Sequence, residues 1–103
     1  MKKHTLSIIV PVFNERYTIQ QVVESVLEAR LPEGVEREVI LIDDGSTDGT
    51  IHILEDIIER HPNLQMLSQD RNRGKGAAVR AGVECATGDF IIIQDADLEY
   101  NPA

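Results

Sequence analysis

The stretch Phe90-Ile91-Ile92-Ile93-Gln94-Asp95-Ala96-Asp97-Leu98-Glu99 decides how this chain reads. Its first four residues are apolar and β-prone, the composition of a strand buried on both faces. It then turns acidic, with Asp95, Asp97 and Glu99 at every second position. In extended backbone that spacing sets three carboxylates on one side, where they repel unless a cation sits among them. Hard oxygen donors of this kind suit Mg²⁺ or Mn²⁺, and hydrated Mg²⁺ commonly binds through one or two carboxylates plus substrate phosphates. For an isolated Asp-x-Asp, a solvated acidic loop is the better explanation. The metal reading therefore depends on whether other segments converge on the same place.

Upstream, strand and helix patterns alternate. Leu6–Phe13 is almost wholly apolar and reads as an interior parallel strand that ends or bulges near Pro11, which cannot donate a ladder hydrogen bond. Residues 16–29 carry Ile19, Val22, Val23, Val26 and Leu27 at helical spacing, with Thr18 and Gln21 as a capping box or Asn14 capping a turn earlier. Leu31-Pro32-Glu33-Gly34 stops that helix. Glu38–Ile42 reads as a second strand. It runs into Asp43-Asp44-Gly45-Ser46-Thr47-Asp48-Gly49-Thr50, a turn rich in capping residues. A second helix over about 48–60 places Ile51, Leu54, Ile57 and Ile58 on one face. Leu64–Leu67 is a short third strand, and Ser68–Gly76 a polar, basic loop. Residues 75–86 form a small-residue helix with Cys85 in its core, and Phe90–Gln94 is the fourth strand. The order β-α-β-α-β-α-β predicts an α/β fold, a Rossmann-like parallel sheet with right-handed crossovers and helices on both faces; 3-2-1-4 is taken as its strand order, which the alternation alone does not fix.

In that order the crevice between strands one and four is the topological switch point, where open α/β sheets bind ligands. Pro11–Glu15 and Asp95–Glu99 line it, with Asp44 beside them. Acids ending three neighbouring strands are hard to explain by stability, because they repel. Taken singly they have plainer explanations. One of Asp43 and Asp44 is expected to cap helix two, and Glu15 suits a helix first turn. Gly74-Lys75-Gly76 is not a Walker A loop. It reads equally as an anion-binding helix start or as a solvated loop. His4, His52 and His61 are scattered and make no ligand set.

Composition narrows the partners. The 103 residues suffice for one small domain, and 42% hydrophobic content can build a core. A net charge of −8 argues against nucleic acid and against direct contact with an anionic membrane surface. Cys85 is the only cysteine, so the chain has no internal disulfide. No signal peptide or membrane-span pattern is visible, and a cytoplasmic setting is expected. The chain stops just past its acidic motif, at Asn101-Pro102-Ala103. It is therefore read as an N-terminal part of a longer protein.

Four motifs in order carry a family resemblance: Ile9-Val10-Pro11-Val12-Phe13-Asn14-Glu15, Ile42-Asp43-Asp44-Gly45-Ser46-Thr47-Asp48-Gly49-Thr50, Asn72-Arg73-Gly74-Lys75-Gly76-Ala77-Ala78 and Asp95-Ala96-Asp97-Leu98. Together they resemble family-2 glycosyltransferases of the GT-A fold, closest to the dolichyl- or polyprenyl-phosphate mannosyl- and glucosyltransferases. The resemblance covers essentially the whole chain and implies an inverting, metal-dependent hexosyltransferase. The donor would be a nucleotide sugar of the GDP-mannose or UDP-glucose type, and the acceptor a lipid phosphate or a saccharide. It implies that Pro11, Phe13 and Glu15 contact the base and ribose, and that Ile42 and Asp44 hold the base. Asp95, Ala96 and Asp97 match the Asp-x-Asp motif, with Asp95 and Asp97 catalytic. Asp97 would be the direct metal ligand and Glu99 an added one, for Mg²⁺ or Mn²⁺. Phe13 replaces a frequent Tyr and leaves stacking alone. The acceptor site and any membrane anchor at a cytoplasmic membrane face are expected beyond residue 103. This part alone is expected to bind nucleotide without turnover and, through the open edge of strand four, to self-associate.

Two other readings carry less. A sugar-nucleotide nucleotidyltransferase would be expected to place a Gly-rich basic loop after strand one, where Phe13-Asn14-Glu15 stands. A non-enzymatic signalling domain with an acidic pocket would put its acid pair after strand one, not strand two.

Overall fold

Strands and helices alternate along the chain as β1 (His4–Val12), α1 (Ile19–Glu28), β2 (Val35–Asp43), α2 (Thr50–Arg60), β3 (Gln65–Ser68), α3 (Lys75–Cys85) and β4 (Phe90–Ile93). This is a computed structural model and describes residues 3–96. Asp97 and Glu99 lie outside the described residues. All pairings are parallel, as the alternation predicts, and the sheet order is β3-β2-β1-β4, the order expected.

Side-chain alternation divides the core into two layers. Ile8, Val10 and Val12 of β1, with Val39 and Leu41 of β2, join Val22, Val26, Leu54 and Ile57 of α1 and α2. On the other face Ile9, Ile40 and Ile42 meet Ala78 of α3. The small residues of α3 allow this close approach. A Cβ on Gly82 would stand 2.5 Å from Ile9 Cγ2 and 2.8 Å from Ile42 Cδ1. The sheet contact follows Ala78, Gly82 and Ala86 at i, i+4 spacing. Cys85 lies beside that line in the last turn and is exposed, contrary to the core position expected for it.

β1 ends at Val12, one residue past Pro11, near where it was expected to end, and Pro11 itself keeps register with Ile42 without a bulge. Bonding sides explain this. The Ile9 carbonyl faces β4 and accepts Gln94 N–H at 2.8 Å, whereas the Val12 carbonyl faces β2 and accepts Asp44 N–H at 2.8 Å. Pro11 shares the side of Ile9, beyond the β4 ladder, so its missing N–H removes no strand bond. β2 begins earlier than expected because its pairing with β1 extends back to His4↔Val35. There Arg37 turns its guanidinium to the Val26 and Ala29 carbonyls at the end of α1. β4 is not buried on both faces: Phe90, Ile91, Ile92 and Ile93 are 56, 43, 45 and 42% exposed. It is the edge strand and pairs with β1 alone among the described strands.

Candidate active site

The carboxyl ends of β1, β2 and β4 and the start of α3 enclose a crevice of about 560 Å³. Pro11, Val12, Phe13 and Glu15 come from the end of β1, and Asp44 from the end of β2. Asn72, Gly74, Lys75 and Ala78 come from the basic loop and α3, and Asp95 and Ala96 follow β4. Ile42 does not line it. That side chain is fully buried, packed with Ile9, Ile40 and Ala78 of α3.

The β1 loop is tied to the β2 loop. Asn14 takes a left-handed φ of 52°, which asparagine tolerates. Its N–H donates to Ser46 Oγ at 2.9 Å, and its Oδ1 accepts Thr47 N–H at 2.8 Å. Asn14 thus caps no helix. Glu15 N–H donates to Thr50 Oγ1 at 3.0 Å. Thr18 flanks α1, but its hydroxyl turns back to Glu15 Oε2 at 2.9 Å rather than forming a capping box. These bonds fix Phe13 between two anchored neighbours while leaving it 41% exposed, an apolar face presented to the crevice.

Asp44 is 2% exposed and serves as a clamp. Its Oδ1 accepts Arg73 N–H at 2.8 Å and its Oδ2 accepts Gly74 N–H at 3.0 Å. Neither Asp44 nor Asp43 caps α2, contrary to expectation. The residue before α2 is Gly49, and Asp43 Oδ2 instead accepts Ser46 N–H at 3.1 Å within its own turn. Asp43 Oδ1 is buried with no hydrogen-bond partner among the described residues, beside a second cavity of about 460 Å³ between the β2 and β3 ends. Gly45 makes the Asp44 clamp possible. With φ at +72°, a Cβ there would stand 2.3 Å from the Arg71 and Asn72 backbone.

In the same crevice the Lys75 ammonium forms an ion pair with Asp95 Oδ1. Glu15, Asp44 and Asp95 thus face one cation among the described lining residues. No group of three or more His, Cys, Asp or Glu gathers for a metal among the described residues. Asp95 nevertheless fits a divalent cation of the Mg²⁺ type. It offers an accessible hard-oxygen donor in a crevice large enough for phosphates, and it already attracts a positive charge.

Two features escaped the sequence reading. Asn72 lines the crevice, and Asp44 engages the backbone of the basic loop. The loop Ser68–Gly76 marked itself by charge, but side chain-to-backbone bonds between distant turns leave no periodic signal.

Comparison with known proteins places the chain in context. The profile of Glycosyl transferase family 2 matches residues 7–103. An undecaprenyl-phosphate 4-deoxy-4-formamido-L-arabinose transferase of Pseudomonas fluorescens is 38% identical over 100 residues, covering 96% of this chain and 29% of that protein. A dolichyl-phosphate beta-glucosyltransferase of Dictyostelium discoideum is 34% identical over 99 residues, covering 89% of this chain and 30% of that one. The chain therefore spans under a third of these relatives. Among solved structures, a mannosyltransferase of Pyrobaculum calidifontis in complex with GDP-Man and Mn²⁺ superposes with a TM-score of 0.79 at 31% identity, covering 94% of this chain and 28% of that one. S. aureus TarS in complex with UDP-GlcNAc gives 0.76 at 32% identity, covering 94% and 27%.

Proposed function

The chain belongs to glycosyl transferase family 2, and on that footing we propose that its crevice receives a nucleotide-diphosphate sugar whose hexose passes to a polyprenyl or dolichyl phosphate. The observation that carries this reading is the single crevice formed by the β1, β2 and β4 ends with the start of α3. The names of the curated relatives support a lipid-phosphate acceptor, and the nucleotide sugars bound by the structural relatives support the donor class.

The exposed Phe13 ring stacks on the base, with Pro11 beside it and Glu15 towards the ribose. Asp44, two residues after the buried Ile42, holds the base edge and fixes the loop that carries Lys75. Asp95 and Ala96 border the ribose and diphosphate. Asp97, with Glu99 as an added ligand, would hold the divalent cation, Mg²⁺ or Mn²⁺, which would neutralise the departing diphosphate. The acceptor attacks the anomeric carbon from the side opposite the diphosphate, inverting it. A phosphate acceptor is already an anion and needs no strong general base. We assign acceptor binding to sequence outside these 103 residues, in a protein that works at the cytoplasmic face of a membrane. No described helix is long and apolar enough to cross one.

Calorimetric titration with GDP, UDP, GDP-mannose and UDP-glucose, with and without Mn²⁺, tests the reading and identifies the donor. Metal-dependent heat with one nucleotide pair is expected. Silence with all four would count against it, and sugar transfer by the isolated chain would contradict the assignment of the acceptor site elsewhere.

A further inference from the structure

The three carboxylates lining the crevice are held differently. Asp44 has both oxygens engaged by backbone N–H groups, and Glu15 accepts the Thr18 hydroxyl. Asp95 meets a full positive charge, the Lys75 ammonium. Lys75 opens α3 and Asp95 follows β4, so the ion pair joins two different elements. Both side chains stay more than half exposed, at 61 and 54%. Exposed ion pairs are weak and screened by salt, so an incoming anion can take this one apart at little cost. The surroundings leave room for the exchange. A Cβ added to Gly74 or Gly76, on either side of Lys75, would find nothing within 4 Å. Asp44 meanwhile pins the loop at Arg73 and Gly74, so the Lys75 side chain can swing from a fixed base.

We propose that Lys75 is a counter-charge that exchanges partners: it neutralises Asp95 while the crevice is empty and turns to the diphosphate when a nucleotide enters. This rests on the nucleotide-diphosphate reading of the crevice and adds a residue to it. The exchange gives Lys75 opposite effects on two ligands. Without nucleotide, its ammonium occupies the acidic end of the crevice and repels a divalent cation. Without metal, it is the charge that attracts a nucleoside diphosphate.

The test titrates the native chain, Lys75→Met and Lys75→Arg with MnCl₂ alone, with GDP and UDP alone, and with both together. Lys75→Met is expected to bind Mn²⁺ alone several-fold more tightly, because a nearby like charge has gone. It is expected to bind the metal-free nucleoside diphosphate about tenfold more weakly, the scale of one lost charge-assisted hydrogen bond. Lys75→Arg keeps the charge and stays near native on both. A purely structural role would not tighten metal binding. If the native chain binds Mn²⁺ and nucleotide but Lys75→Met leaves either affinity unchanged, or moves both the same way, the exchange is overturned and the crevice reading stands. If the native chain binds no nucleotide even with Mn²⁺, both are overturned.

Discussion

Asp44, at the end of β2, accepts the N–H of Gly74 at 3.0 Å, just before α3 begins. With the matching bond from Arg73, this buried carboxylate ties a strand end to a loop about thirty residues away, and so sets one wall of the crevice. Asp44→Asn would replace one acceptor oxygen with an N–H₂ group facing a backbone donor. Unfolding in urea should show a loss of about 1–3 kcal/mol. Nucleotide affinity should fall with it, since the wall that carries Lys75 is no longer held.

Gly45 tests the same wall from its other side. Gly45→Ala puts a Cβ into the Arg71–Asn72 backbone at a left-handed φ. The loss expected in a thermal or urea melt is about 1–3 kcal/mol, from strain and steric displacement together. Gly76→Ala meets nothing and lies inside the first turn of α3, so its stability should rise by up to about 1 kcal/mol. Equal effects at the two glycines would contradict the packing described.

Glu38 contributes to stability in acid. Its partial burial pushes the carboxyl pKa up, but hydrogen bonds from the Ser7 hydroxyl, the Thr87 N–H and hydroxyl, and Gln65 together outweigh this and hold it below the usual carboxylate range. The unfolded chain therefore binds the proton first as pH falls. The stabilisation is fully present above the ordinary glutamate value and is lost as pH drops through the lowered one. Glu38→Gln should flatten the acid side of a stability–pH curve between those values. An unchanged slope would show that the bonds do not favour the ionised form.

The edge strand β4 carries Phe90, Ile91, Ile92 and Ile93 half exposed, with a row of backbone groups unpaired among the described strands. Such an edge favours pairing with another copy. Sedimentation should show the apparent mass of the isolated chain rising with concentration, and Ile91→Lys should suppress that rise. A monodisperse monomer at high concentration would contradict it.

The parallel sheet was legible because strand and helix patterns alternate along the chain, whereas the order β3-β2-β1-β4, though it agrees with the one assumed, is not fixed by that alternation. The crevice was legible because Pro11, Phe13, Glu15, Asp44, Asp95 and Ala96 all sit where strands end. Other features were hidden for physical reasons. The sequence of β4 reads as a strand buried on both faces; its open edge was expected, but the exposure of its side chains was not. Ile42 and Asp44 are two residues apart, yet one points into the core beneath α3 while the other bonds to a loop beyond β3. Asp43 and Asp44 carry capping chemistry, but that chemistry is spent on a turn and on the α3 loop rather than on α2. Partner choice among competing backbone donors is decided in three dimensions.

The most direct test of the central claim follows backbone amide resonances while Mg²⁺ and a nucleoside diphosphate are added together. The account predicts concerted shifts at residues 12–15, 44–46, 72–78 and 94–96, with the Ser7–Glu38–Thr87 end of the sheet unmoved. Shifts at that opposite end alone, or none anywhere at saturating ligand, would contradict it.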